Sequence, residues 1–289
     1  MKASAPKRIS AFRELGILLR QGLRALTRNK VNLLISLLFP FVAAGVTVWI
    51  AGKDMFLNME STKSACFILV CAAIWGGLFN SIQAVVKERK SIRRDYVSGA
   101  LRIGCYTLSR TMIQMGLCAF QSAVLCLSFY GVHWAYKTEL PSQGLVFGSA
   151  ILEYYITLFL VVFAADALGL CISCIVKNEQ LASQLSPYIL IVQLLFSGVL
   201  FTMEGAASSV SALMLSRWGM EALGSISNLN GLPLRIQGEF PMISHPADDA
   251  FLFTGEHLKM VWLILLVFVM VPVIVGNFAL YGVKNDKRG

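Results

Sequence analysis

The chain has 289 residues, 56% of them hydrophobic and 14% charged, with a mean hydropathy of +0.68. Soluble domains average roughly 45–50% apolar and about 25% charged residues, so a water-soluble globular protein is excluded. With only 8 prolines, disordered and collagen-like chains are excluded as well. Lys and Arg number 25 against 16 Asp and Glu, a net charge of +9, and where those charges fall decides between a nucleic-acid and a membrane partner.

Residues 1–30 are too basic for a signal peptide and lack its short apolar core. At about 100° per residue, Phe12, Leu15, Leu19, Leu23 and Leu26 share one helix face and Arg13, Arg20, Arg24 and Arg28 another. That is the pattern of a basic amphipathic helix lying in the membrane interface; a soluble targeting arm is the alternative. Six apolar stretches follow, at 31–51, 65–86, 111–131, 151–176, 187–203 and 259–282. Each comes close to the about 20 residues of a helical span, the fifth being the shortest, and Pro40 predicts a kink in the first. The expected fold is an all-α membrane protein with six transmembrane helices. It divides into an interfacial or cytoplasmic helix over 1–30, a membrane domain over 31–282 and a tail over 283–289.

With the N-terminus inside, nineteen basic residues fall on the inner side and six on the outer. The positive-inside rule therefore predicts a cell-membrane protein with both termini cytoplasmic, and it accounts for the charge without nucleic acid. The inner loop 87–110 concentrates Lys87, Glu88, Arg89, Lys90, Arg93, Arg94 and Asp95. The outer loop 204–258 contains an apolar stretch, 212–226, that reads as a re-entrant or interfacial helix with Trp218 at headgroup level. Its later part, with Pro233, Pro241 and Pro246, reads as a compact cap.

No GxxxxGK[ST] loop occurs, so the chain is not expected to bind ATP itself, and no HExxH or paired CxxC set supports a metal site. Cys171 and Cys174 have CxxC spacing but lie in an apolar stretch. The outer loops hold none of the seven cysteines, so no structural disulfide is expected. His133, His245 and His257 are far apart, and no catalytic residue is assigned. Polar residues inside spans must find a partner or a water-filled cavity. Asp166 has two readings, a substrate or proton contact and a helix-to-helix hydrogen bond. Glu153 is read as lying at the water interface, and Gln83, Gln114, Gln121 and Gln193 as packing contacts.

Three stretches carry a resemblance. Residues 88–99, Glu-Arg-Lys-Ser-Ile-Arg-Arg-Asp-Tyr-Val-Ser-Gly, followed by Tyr106-Thr-Leu-Ser-Arg110, resemble the pattern that ends the second span and forms the coupling helix in subfamily G of the ATP-binding cassette (ABC) transporters, of the ABC-2 type. Residues 168–201 are similar to that family's fourth and fifth spans. Leu215-Ser-Arg-Trp-Gly-Met-Glu-Ala-Leu223 resembles its external segment before the last span.

The resemblance implies a dimeric export permease for hydrophobic or amphipathic cargo, completed by a second copy or homologue. Its energy comes from two ATP-hydrolysing subunits, on which ATP and Mg are expected. The connecting helix, 11–29, and the loop after the second span would rest on those ATPases, so the resemblance assigns coupling to Glu88, Arg89, Arg93, Arg94, Asp95, Tyr96, Gly99 and Arg102. Cargo is expected between the second and fifth spans, against Trp75, Gly76, Phe79, Gln83, Ile191 and Leu195, below a gate at Val199 and Leu200. The chain departs from the family pattern at Val199, where a leucine is usual, and at Gln83, where a glutamate is common. The external disulfides of the family have no counterpart. The start at Met1 without an ATPase implies a separate, prokaryotic-style permease subunit or a chain processed from something longer. Two other functions stay open. One is a secondary carrier using Asp166 and Glu153, which would transport without an ATPase; the other is a non-transporting membrane scaffold or signalling subunit.

Overall fold

The computed structural model describes residues 10–28, 30–51, 54–136, 141, 143–201, 203–234, 237 and 247–285. The predicted tail beyond 285 and the Pro241 and Pro246 part of the cap lie outside them. The described residues form ten α-helices: α1 (Ala11–Arg28), α2 (Lys30–Ala51), α3 (Met59–Ser81), α4 (Ala84–Val97), α5 (Ile103–Tyr136), α6 (Ala150–Ile175), α7 (Glu179–Leu195), α8 (Ala206–Ser211), α9 (Leu215–Ile226) and α10 (Gly255–Tyr281). No strand occurs among them.

Five helical segments are long and apolar enough to cross a membrane: α2, α3 running on into α4, α5, α6 and α10. The chain is a multi-pass membrane protein. Six such segments are predicted, and the difference lies at the fifth, 187–203. The corresponding helix, α7, starts earlier, at Glu179, where the Asn178 side chain accepts a hydrogen bond from the Gln180 N–H at 2.9 Å. It ends at Leu195, and Gly198 turns the chain at φ +76°. Its 17 residues, at about 1.5 Å each, reach about 25 Å against a hydrocarbon core of about 30 Å. Val199, Leu200 and Phe201 are apolar, which is why composition counts them into a span, but they lie beyond the helix.

The centre of the bundle is α6, hydrophobic on every face, with 78% of its apolar window buried against 22% for α2 and 28% for α10. It packs against α3, α5, α9 and α10. The approach to α3 is backbone to backbone: a Cβ on Gly77 would strike the Val162 carbonyl, and one on Gly169 would lie 2.7 Å from the Leu78 carbonyl oxygen. Small residues on both partners permit that contact. On the outside, α2 leans on α3 and α5, and α1 on α5.

The inward face of α1 differs from the predicted apolar stripe. Leu15, Leu18, Leu19, Gly22 and Leu26 are half-buried and Glu14 is buried, whereas Phe12, Ile17 and Leu23 stay exposed. Helix α9 occupies the predicted re-entrant stretch and is wedged against α3, α6 and α10, with most of its residues buried. The Trp218 indole is half-buried there and donates to the Ala212 carbonyl at 2.8 Å.

Candidate functional site

At the end of the bundle that carries α1 and α4, the chain leaves α3 through a two-residue turn and begins α4 against α6. Ser173 of α6 accepts hydrogen bonds from the Val85 and Val86 N–H groups, each at 3.0 Å, satisfying two donors that every helix start leaves free. The buried Arg89 returns the favour at the C-terminus of α6, donating to the Cys174 carbonyl at 2.7 Å and to that of Val176 at 3.2 Å. The apolar side of α4, Val85 and Ile92, joins Leu18 of α1, Ile103 and Tyr106 of α5, Leu170 of α6 and Leu280 of α10 in a separate small core.

Two charged links cross this core. Glu88 of α4 forms an ion pair with Arg110 of α5 and accepts from the Tyr106 hydroxyl at 2.9 Å. The Arg110 guanidinium also donates to that hydroxyl at 3.3 Å and lies 5.4 Å from the ring centroid. Glu14 of α1 accepts from the Arg102 N–H at 2.6 Å and pairs with its guanidinium at 3.6 Å. Tyr96 meets Tyr281 of α10 edge-on at 6.3 Å. Gly99 takes φ +77°, closing α4 in a conformation other residues adopt at a cost. Arg93 is half-buried. Arg94 and Asp95 pair with each other at 3.1 Å and face outward, their side chains 77% and 43% exposed.

Of the predicted coupling residues, Glu88, Arg89, Tyr96 and Arg102 therefore bind α4 and α5 to other helices, while Arg94 and Asp95 present an open charged surface. Sequence reasoning missed Glu14, Ser173, Tyr106 and Arg110 as participants. Tyr106 and Arg110 stand in the quoted motif, but nothing local marks Glu14, which lies away from the apolar stripe of its helix.

The predicted cargo residues separate into two groups. Trp75, Gly76, Phe79 and Gln83 line a half-open cavity of about 590 Å³ between α1, α2, α3, α4 and α5, with the Trp75 and Phe79 rings stacked 5.8 Å apart. Ile191 and Leu195 are instead exposed on α7, beside Tyr188 and Val192. Gln83 bridges the groups by donating to Ser183 of α7. Of the proposed gate, Val199 is half-buried against the main core and Leu200 is exposed.

Asp166 is buried and accepts from the Ser81 hydroxyl at 2.6 Å, linking α6 to α3. The side-chain amide of Gln114 donates to the same hydroxyl at 2.6 Å. Nearby, Asn80 donates to Gln121 at 2.6 Å, and Gln121 donates to the Ser36 carbonyl at 3.0 Å. These amides tie α2, α3 and α5 together at mid-bundle. Glu153 corrects its predicted place at the water interface: it is fully buried, and its carboxylate accepts from the N–H groups of Leu145, Val146 and Phe147 at 2.8, 2.5 and 2.9 Å. A loop that folds back over the start of α6 removes it from water, which its position near the end of an apolar stretch does not reveal.

At the opposite end, Glu221 of α9 pairs with Arg217 at 3.8 Å and lies 3.3 Å from His257 Nε2 of α10. Burial pushes its carboxyl up to about 7; Arg217 opposes that shift and Asp248 adds to it. A folded-state value above the ordinary 4.5 makes a stabilising contribution that is complete below about 4.5 and lost as pH rises through about 7. The melting temperature of the purified chain is therefore expected to fall between about pH 5 and 8, and to fall less in Glu221→Gln. Equal slopes in both proteins would assign the pH dependence to other groups.

Residues 13–226 match the family model described as ABC-2 type transporter. The chain is also 23% identical over 234 residues to the ABC transporter ATP-binding/permease protein Rv1747 of Mycobacterium tuberculosis, an alignment covering 78% of this chain and 26% of that protein. The chain thus spans about a quarter of the length of the curated relative it matches.

Proposed function

The chain belongs to the ABC-2 type transporter family, and from that premise we propose that it is the membrane permease part of an ATP-driven exporter in the cell membrane. Residues 1–30 serve as the connecting helix, 31–282 as the permease domain and 283–289 as a cytoplasmic tail. Two ATPase partners, holding ATP and Mg, dock on α1 and α4 at the cytoplasmic side, where both termini lie. A second permease copy or homologue pairs along the exposed face of α7, and hydrophobic or amphipathic cargo passes between α3 and α7 beneath Val199 and Leu200. In this assembly α7, extended by the residues after it, acts as the sixth transmembrane segment.

The observation that carries this reading is the two-sided character of α4. Its inner side is fixed to α5, α6 and α10 through Glu88, Arg89 and Tyr96, while Arg94 and Asp95 stand open to a partner. A push on that outer side moves the attached helices together. Nucleotide-driven closure of the partners then shifts the bundle between an inward-open and an outward-release state.

Purifying the chain from its native membrane should bring an ATPase with it; solute transport by the chain alone would defeat the proposal in favour of a secondary carrier. In that complex, combined Arg94→Glu and Asp95→Lys should change thermal stability by no more than about 0.5 kcal/mol, since both are exposed. Cargo-stimulated ATPase activity should drop about tenfold, equivalent to about 1.4 kcal/mol of lost coupling. Unchanged stimulation would place the ATPase contact elsewhere.

A further inference from the structure

The cavity between α1, α2, α3, α4 and α5 is graded along its length. On one wall, Trp75 and Phe79 of α3, Gln83 of the turn and Lys87 of α4 line it in chain order. The wall passes from aromatic through amide to cation. The facing wall, α5, runs the same way, with Leu117, Gln114 and Arg110. Two bonds hold the gradients in register: Gln114 donates to the Asn80 carbonyl at 3.2 Å, and Arg110 pairs with Glu88. Phe39 of α2 lies beside Gly76 at the aromatic end, Gly22 and Leu26 of α1 line the side, and Trp75 and Phe79 stay about half exposed. Lys87 and Arg110 are opposed among the lining residues by one carboxylate, Glu88, leaving one positive charge in excess. The volume of about 590 Å³ lies in the range of small-molecule sites.

We infer that this cavity holds one lipid-like amphiphile, with a singly anionic head at Lys87 and Arg110 and an apolar tail along Trp75, Phe79 and Phe39. None of its described lining residues belongs to α7, but Trp75, Gly76, Phe79 and Gln83 are also cargo residues of the permease reading, so the inference rests on that reading and adds to it the class of amphiphile and the wall that α1, α2 and α5 supply. The charge excess selects the head, and the apolar rings at the other end of the cavity select a tail rather than a free anion.

The full chain in detergent micelles is titrated with lysophosphatidylglycerol and, separately, with lysophosphatidylcholine of the same tail, and adducts are counted by native mass spectrometry. One anionic probe should bind per chain, about fivefold or more tighter than the zwitterionic one, and Lys87→Gln should bring the two together. Gly76→Leu fills the cavity, and the fold accommodates it because a Cβ there meets only the Phe39 ring at 3.7 Å. It should weaken both probes about tenfold or more. Trp75→Ala, which removes tail contact without adding bulk, should weaken both severalfold, and Ile191→Ala with Leu195→Ala should change neither. Equal affinity for the two probes in the wild-type chain, undiminished binding by folded Gly76→Leu, or displacement of the probe by excess inorganic phosphate would each overturn the inference. Recovery of an ATPase with the wild-type chain is scored separately: its absence counts against the permease reading and leaves the binding result standing.

Discussion

Gly77→Val is expected to abolish recovery of the chain as a folded, monodisperse protein. The space a Cβ would need at Gly77 is taken by the Val162 carbonyl and by the Ala165 Cβ at 2.9 Å. Neither can yield cheaply, because α6 is held from its other sides by α5, α9 and α10. Overpacking a well-filled core costs about 1–3 kcal/mol when side chains can adjust. Here backbone must move, so a loss of at least about 3 kcal/mol is expected, a large part of the about 5–15 kcal/mol that holds a typical domain together. Gly45→Val on α2 is the matched control: nothing lies within 4 Å of its added Cβ, and yield and melting temperature should stay near wild type. Size-exclusion chromatography and thermal unfolding in detergent read both variants. A stable Gly77→Val protein would mean that α3 and α6 do not approach at this point.

Glu14→Ala is expected to release the first turns of α1 from the bundle and, in the complex with the proposed ATPase partners, to cut cargo-stimulated ATP hydrolysis about tenfold or more. Glu14 is only 6% exposed, and its carboxylate supplies both a hydrogen-bond acceptor for the first turn of α5 and a charge partner for Arg102. A charge-assisted hydrogen bond of this kind contributes about 1.5–3 kcal/mol. That is enough to free the first turns of α1 without unfolding the five long helices. Glu14→Gln keeps an acceptor oxygen but not the charge, so it should fall between alanine and wild type. Protease cutting near the start of α1 offers an independent readout, rising in the order wild type, glutamine, alanine. Full stimulation together with rapid cutting would show that force does not enter through α1.

The two variants probe features of very different visibility. A glycine at position 77 is unremarkable in an apolar stretch; only the presence of Val162 opposite gives it its importance. Glu14 is a single acid in a basic helix, and its partner is 88 residues away. The residues that bind α4 to its neighbours were partly legible, since Glu88, Arg89 and Tyr96 stand in a recognisable charged motif. The side of α4 that each one faces was not, because spacing on one helix does not say what lies across from it.

Local properties sufficed for the membrane character, for the places of α2, α3, α5, α6 and α10, for an amphipathic helix ahead of them and for a helix near 212–226. Each follows from the hydropathy of consecutive residues, and an apolar run of that length has no stable alternative to a helix in lipid. Only tertiary structure decided that α7 stops at Leu195, that Glu153 is buried under its own loop, that α1 turns Glu14 inward, and that the aromatic and amide residues of α3 line a cavity with those of α5. In each case the deciding energy comes from a group distant in sequence: a backbone N–H to accept from, an arginine to pair with, a carbonyl that leaves no room. Such groups become neighbours only when the helices assemble.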